Sequence, residues 1–358
     1  MIWKQEEKKL IKTPMLWSLF VFFLLCNGML LWGNIGDIRE ELQQVHGEVL
    51  EHGIDEDIYQ ESLSRYDLLD MVEIKELKQE LYQYYPSGSY QKFVDKRYEA
   101  LNVRVQEIVE SGEAEGITYM GMTYRLHNKL YTKVLRWVFL EMGILTVVAI
   151  LFLMDYERFH YTLSVTYTTH IGRKVQWIKW CVGMLTGLGM GLVLLGLVLM
   201  AWFWLIPYER FWNTSISAAL MTEPRGIMTY PFITFCKMTI LQYLLCVIVI
   251  GIFLVVLMGI IAGAIQIKVQ NSYLSFGGVV VFLLMGLYIS GYSTQSWLDI
   301  ALSWNPADLW FRMGNWFMEG SLVSNFKGAE VISVTVQIIF WGIVGRYVYC
   351  EFLRTDIG

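Results

Sequence analysis

The stretch Asp155-Tyr-Glu-Arg-Phe-His-Tyr-Thr-Leu-Ser-Val-Thr-Tyr-Thr-Thr-His-Ile-Gly-Arg-Lys-Val-Gln-Trp-Ile-Lys179 is a polar island between two apolar runs, Leu135 to Met154 and Ile178 to Ile206. At ~1.5 Å of rise per helical residue, each run is long enough to cross a hydrocarbon core of ~30 Å. The island is therefore expected to be a short connection between two membrane crossings. Within it Asp155, Glu157, Arg158, Arg173, Lys174 and Lys179 are interspersed with Leu163, Val165, Ile171 and Trp177, which suits a short helix lying flat at the membrane face.

Working outward, four more apolar runs appear: Met15 to Trp32, Met238 to Ile265, Tyr273 to Tyr292 and Val331 to Tyr349. Met15 to Trp32 has no small-residue cleavage site behind it and reads as a span rather than a signal peptide. The composition agrees, with 55% hydrophobic and 17% charged residues, the latter below the roughly 25% usual in soluble domains. Six spans put both termini on one side. Lys4, Lys8, Lys9 and Lys12, then Arg158, Arg173, Lys174 and Lys179, then Lys268, then Arg346 and Arg354 all flank that side, which the positive-inside rule assigns to the cytoplasm. The expected location is the plasma (cytoplasmic) membrane, multi-pass, with both termini cytoplasmic. Residues 1 to 33 would form a lysine-rich interfacial helix and the first span, the lysines near anionic head groups.

Residues 34 to 133 break the pattern. Residues 34 to 130 carry 20 Asp and Glu against 10 Lys and Arg within a chain of net charge -5, so the remainder is basic. A basic membrane part with an acidic appendage argues against nucleic acid as a partner. Ile38, Leu42, Val45 and Val49, then Met71, Ile74, Leu77 and Leu81, then Val94, Tyr98, Leu101, Val105 and Ile108 recur at helical spacing. Gly53 and Pro86-Ser-Gly-Ser89 separate these helices. The expected fold is an all-α membrane protein of six transmembrane helices, with a helical extracellular domain inserted between the first and second spans. Residues 134 to 358 would hold spans two to six, the inward loop 155 to 177 and an outer loop, 293 to 330, whose Asn305-Pro306 and tryptophans suggest short helices.

Little in the chain suggests chemistry of its own. Cys26, Cys181, Cys236, Cys246 and Cys350 lie in or beside apolar runs, which argues against a disulfide framework or a zinc site. His46, Glu48, Glu51, His52 and Asp55 cluster without a ligand spacing and read as a solvated acidic helix, so no metal is expected. There is no Gly-x-x-x-x-Gly-Lys-Ser/Thr loop to cradle ATP and no Gly-x-Ser-x-Gly elbow. Glu141 lies within the second span, where an ionisable group is disfavoured by up to ~3 kcal/mol unless paired or hydrated. Lys237 and Gln242, at the start of the fourth span, are candidate partners along a polar pathway, and snorkelling to the interface is the competing explanation. Gly183, Gly187 and Gly191 in the third span and Gly259 and Gly263 in the fourth make small-residue rows that let helices approach closely in lipid.

The opening stretch resembles the loop between the second and third spans of type 2 ATP-binding cassette exporter permeases, through Glu157, Thr162-Leu163, Gly172-Arg173 and Lys179. Phe159-His160 and His170-Ile171 stand where that family often has a glycine and a proline. The resemblance implies a transport subunit that is not itself an enzyme and binds no cofactor. Cytoplasmic ATPase subunits would hold ATP and Mg, and a second permease copy or paralogue would complete the assembly. It also implies that Glu157, Leu163, Gly172, Arg173 and Lys179 couple the chain to the ATPase, and that the outer loop 293 to 330 is re-entrant. The acidic appendage would attract an amphipathic, cationic substrate such as a peptide. A membrane sensor or scaffold whose outer domain binds a ligand or partner without transport is the alternative.

Overall fold

The computed structural model describes residues 2–52, 69–113, 126–168, 172–206, 208, 212–217, 233–292, 294–319 and 326–354, with backbone alone for 37–52. Its regular structure is all-helical, and six helices are long and apolar enough to cross a membrane. They correspond to the six apolar runs read from the sequence, each extended at one or both ends.

The chain enters by α1 (Ile2–Ile11), which turns at Thr13 into α2 (Pro14–His52). Pro14 sits at the first position of α2, where a missing N–H costs nothing. This helix runs unbroken through the expected boundary at residue 33, so the first span and the start of the insertion are one rod. The second span begins with a π-helical turn, Lys129–Leu135, and continues as α5 (Arg136–Phe159). The third, fourth, fifth and sixth spans are α7 (Val175–Leu205), α8 (Ile240–Val269), α9 (Ser272–Ser290) and α12 (Ala329–Arg354). Below, the near end of the bundle is the one that carries the N-terminus.

The second span is the most enclosed of the six and the fifth the least. Small residues explain much of the packing around it. Gly183, Gly187 and Gly191 lie against Ile150, Thr146 and Met142 of the second span, where any side chain would strike the facing helix. Gly259 meets Ile150 and Thr146, and Gly263 accommodates the Trp180 ring, whose Nε1 donates to the Gly259 carbonyl at 3.0 Å. All five glycines therefore pack within the chain. Large apolar side chains such as Leu284, Met285, Phe340 and Ile343 point outward, as lipid-facing positions should.

The described part of the insertion is a helical hairpin, α3 (Met71–Tyr82) and α4 (Gly88–Glu110). Asp70 caps α3 by accepting from the Val72 amide, and Gln83 ends it in a left-handed conformation ahead of Pro86. The stripe Val94, Tyr98, Leu101, Val105 and Ile108 is buried, and it packs on Met71, Ile74 and Ile233. Leu77 and Leu81, from the shorter stripe, are exposed.

The loops that follow the third and fifth spans contribute to the same layer. Residues 294–319 form α10 (Trp297–Ser303) and α11 (Pro306–Phe311), with Asn305 capping the latter. Trp297 packs at a tilt against Tyr90 and Phe93 of the hairpin. A bridge joins Thr234, between the third and fourth spans, to Met318, between the fifth and sixth, and Ile233 and Trp297 pack on the hairpin, so the three segments form one layer at the far end.

Candidate functional site

The near end gathers the residues singled out in the opening stretch. The second span ends at Phe159 and the third begins at Val175, so two antiparallel neighbours place Glu157 and Lys179 at similar height. Lys179 is fully buried and forms an ion pair with Glu157. From the other side Lys9 of α1 donates to Glu157 Oε1 at 2.9 Å and to Glu6 at 2.7 Å, with its ammonium 4.9 Å from the Tyr156 ring centroid. A buried lysine without a partner is strongly disfavoured; here four alternating charges share the site. Glu157 is thus an internal tie binding α1 to the second and third spans, and its carboxylate does not face outward.

Gly172 adopts the left-handed region (φ 52°), which leads into Arg173. The Arg173 guanidinium donates to the Phe352 carbonyl at 2.9 Å and lies over the Phe352 ring. That carbonyl lies in the last turn of α12, so the cation sits at the negative end of the helix dipole.

Between these anchors runs α6 (Leu163–Tyr167), the short helix expected from the alternation. Leu163 is half-buried, whereas Tyr161 is 94% and Val165 66% exposed. In the sequence Asp155 is one charge among several. In the fold its carboxylate accepts from the Ser272 amide at 3.2 Å and hydroxyl at 2.9 Å, and pairs with Arg158 at 3.1 Å, holding the start of the fifth span. The orphan amides at a helix start were the signal that could have pointed to it.

Glu141 is buried in the second span and accepts a hydrogen bond from Asn27 of the first. Gln242 does not meet it: its amide forms a capping box with Thr239 at the exposed start of the fourth span. Asn27, a lone amide inside an apolar run, was overlooked in the sequence.

At the far end a second charged site had no sequence signal. Arg104 donates to both oxygens of Glu113, at 2.9 and 2.6 Å, and through Nε to the Thr234 carbonyl at 3.1 Å. Ser111, Ser215 and Ser217 donate to the same carboxylate. Burial pushes the Glu113 carboxyl up, but the hydrogen bonds and charge of Arg104, with Ser111 and Lys237, outweigh it and hold the group below the usual carboxylate range. Lys78 pairs with the fully buried Glu319 at 2.6 Å. Nearby, burial and hydrogen bonds to Tyr90 and Asp299 push the Tyr84 hydroxyl far above its ordinary range.

Among the described residues no group of three His, Cys, Asp or Glu is placed to hold a metal. The side chains of His46, Glu48, Glu51, His52 and Asp55 lie outside the described residues. No family model, curated protein or solved structure matches the chain.

Proposed function

We propose that the chain is the membrane-spanning permease subunit of an ATP-binding cassette exporter resembling the type 2 class. It works in the plasma membrane with both termini cytoplasmic, beside a second permease copy or paralogue. Separate ATPase subunits bind ATP and Mg. The substrate is amphipathic, a cationic peptide being the best match to the acidic insertion on the outer side. The observation that carries the reading is the protruding turn around Tyr161 and Val165, held at its roots by Glu157–Lys179 on one side and Arg173–Phe352 on the other.

That arrangement suits a lever. A force on a slack loop is absorbed by the loop. A force on this turn passes through its two ties to the second, third and sixth spans, which is what alternating access requires. In this scheme Tyr161 and Val165 meet the ATPase, while Glu157, Arg173 and Lys179 transmit its motion.

Purification in mild detergent should bring down an ATPase subunit with a Walker phosphate loop, and Val165→Cys should crosslink to it. Replacing Glu157 and Arg173 together by Ala should leave ATP hydrolysis intact and uncouple it from export. Labelling of Val165→Cys from outside intact cells by a membrane-impermeant thiol reagent would overturn the assignment. The alternative is a sensor or scaffold, and the observation in its favour is the unbroken α2, a direct link from the insertion into the membrane. It predicts ligand or partner binding by the outer layer and no copurifying ATPase.

A further inference from the structure

The first and second spans meet at a polar joint that neither the ATPase nor the substrate accounts for. Asn27 Nδ2 has two hydrogens, and both are used: one goes to the Phe23 carbonyl at 2.9 Å, the other to Glu141 Oε2. This fixes the orientation of the amide, because a flipped Asn27 would face the Phe23 carbonyl with its own oxygen. Asn27 Oδ1 is buried and has no donor among the described residues. Glu141 is 7% exposed and Asn27 2%.

Among the described residues no cation pairs with Glu141, whose side-chain partner is Asn27. The first span, residues 14 to 36, contains no Lys, Arg or His. On the second span Arg136 lies over the Phe311 ring, Lys129 donates to the Asn34 carbonyl, Lys133 is exposed, and His127 is bonded to Gly314. Lys179 of the third span is held by Glu157, and Lys268 of the fourth by Glu351, both at the near end. The neighbouring titratable group of the first span, Cys26, is a half-exposed thiol. An ionised Glu141 would thus rest on one neutral amide in an apolar joint, which low-dielectric surroundings do not tolerate.

We propose that Glu141 holds a proton in this structure, and that the joint it forms with Asn27 is a proton-binding site between the first and second spans. An un-ionised carboxyl supplies one O–H donor, the group that Asn27 Oδ1 lacks. A single proton then removes the buried charge and closes the pair in both directions. When the proton leaves to water, the remaining carboxylate needs further donors, so the first span must part from the second to hydrate it. Proton release and separation of the two spans are therefore linked, whichever machine drives the chain.

Infrared difference spectra of the full chain in lipid nanodiscs at neutral pH test this. Wild type minus Glu141→Gln should show the carbonyl stretch of an un-ionised carboxyl, and Asn27→Ala should shift that band. A difference spectrum containing only carboxylate stretches would overturn the proposal. Glu141→Gln preserves folding on this account, because a Gln amide both accepts from Asn27 Nδ2 and donates to its Oδ1. As a second measure, a folded state carrying the extra proton loses stability as pH rises. Thermal unfolding of wild type should fall relative to Glu141→Gln from mildly acidic to alkaline pH, and parallel curves would equally overturn the assignment.

Discussion

At the near end Lys179 meets Glu157 as a point charge, with Lys9 and Glu6 extending the row; at the far end Arg104 grips Glu113 through two parallel hydrogen bonds, and three serines occupy the remaining acceptor positions. Both sites join segments remote in sequence. They differ in redundancy and in geometric freedom. Glu157 has two ammonium partners on flexible stems, one of them on α1, so either contact can lengthen while the other holds. Glu113 has one guanidinium whose planar fork fixes its direction. The near end can yield without coming apart, whereas the far end holds one geometry.

The largest effect should come from breaking the fork. Arg104→Ala leaves Glu113 buried with only hydroxyl donors and should cost about 3–5 kcal/mol, the range for orphaning one half of a buried pair. Thermal unfolding should show this, and protease should cut first in the α3–α4 hairpin. At the near end Lys179→Met should cost less, about 1–3 kcal/mol, because Lys9 still neutralises Glu157; equal losses in the two variants would erase the asymmetry. Acid should reveal a smaller difference. Glu113 is depressed when folded, so its contribution is present above the unfolded carboxyl value near ~4.3 and is lost as pH falls through the lower folded value. Arg104→Ala should abolish this acid-dependent loss. If wild type and Arg104→Ala instead lose stability equally on acidification, the fork is not where the proton acts.

The six spans were legible because membrane burial needs only length and apolarity, and a run such as Tyr273 to Tyr292 announces both. The α4 stripe was legible because a single face is buried over about four helical turns. The α3 stripe misled because that helix packs mainly through its first turn, leaving Leu77 and Leu81 outside. Glu157 and Lys179 were found as residues but not as partners, since their meeting depends on how the loop folds back. Arg104 and Glu113 were not found at all. Their shared oxygens also take hydrogens from Ser215 and Ser217, about a hundred positions away, and no local pattern encodes such a meeting. Asn27 was missed for another reason: one amide scarcely alters an apolar average, although it bonds Glu141 between the first two spans.

The unbroken α2 has a mechanical consequence. Its 39 residues amount to roughly 58 Å of rigid rod at ~1.5 Å per residue, nearly twice the ~30 Å of hydrocarbon it crosses. Beyond Gly36 the remaining sixteen positions make a mast of roughly 24 Å with no joint at its foot. Any tilt of the first span is therefore magnified at the masthead: leaning by ~10° sweeps the tip sideways by roughly 4 Å, about the width of one strand of chain.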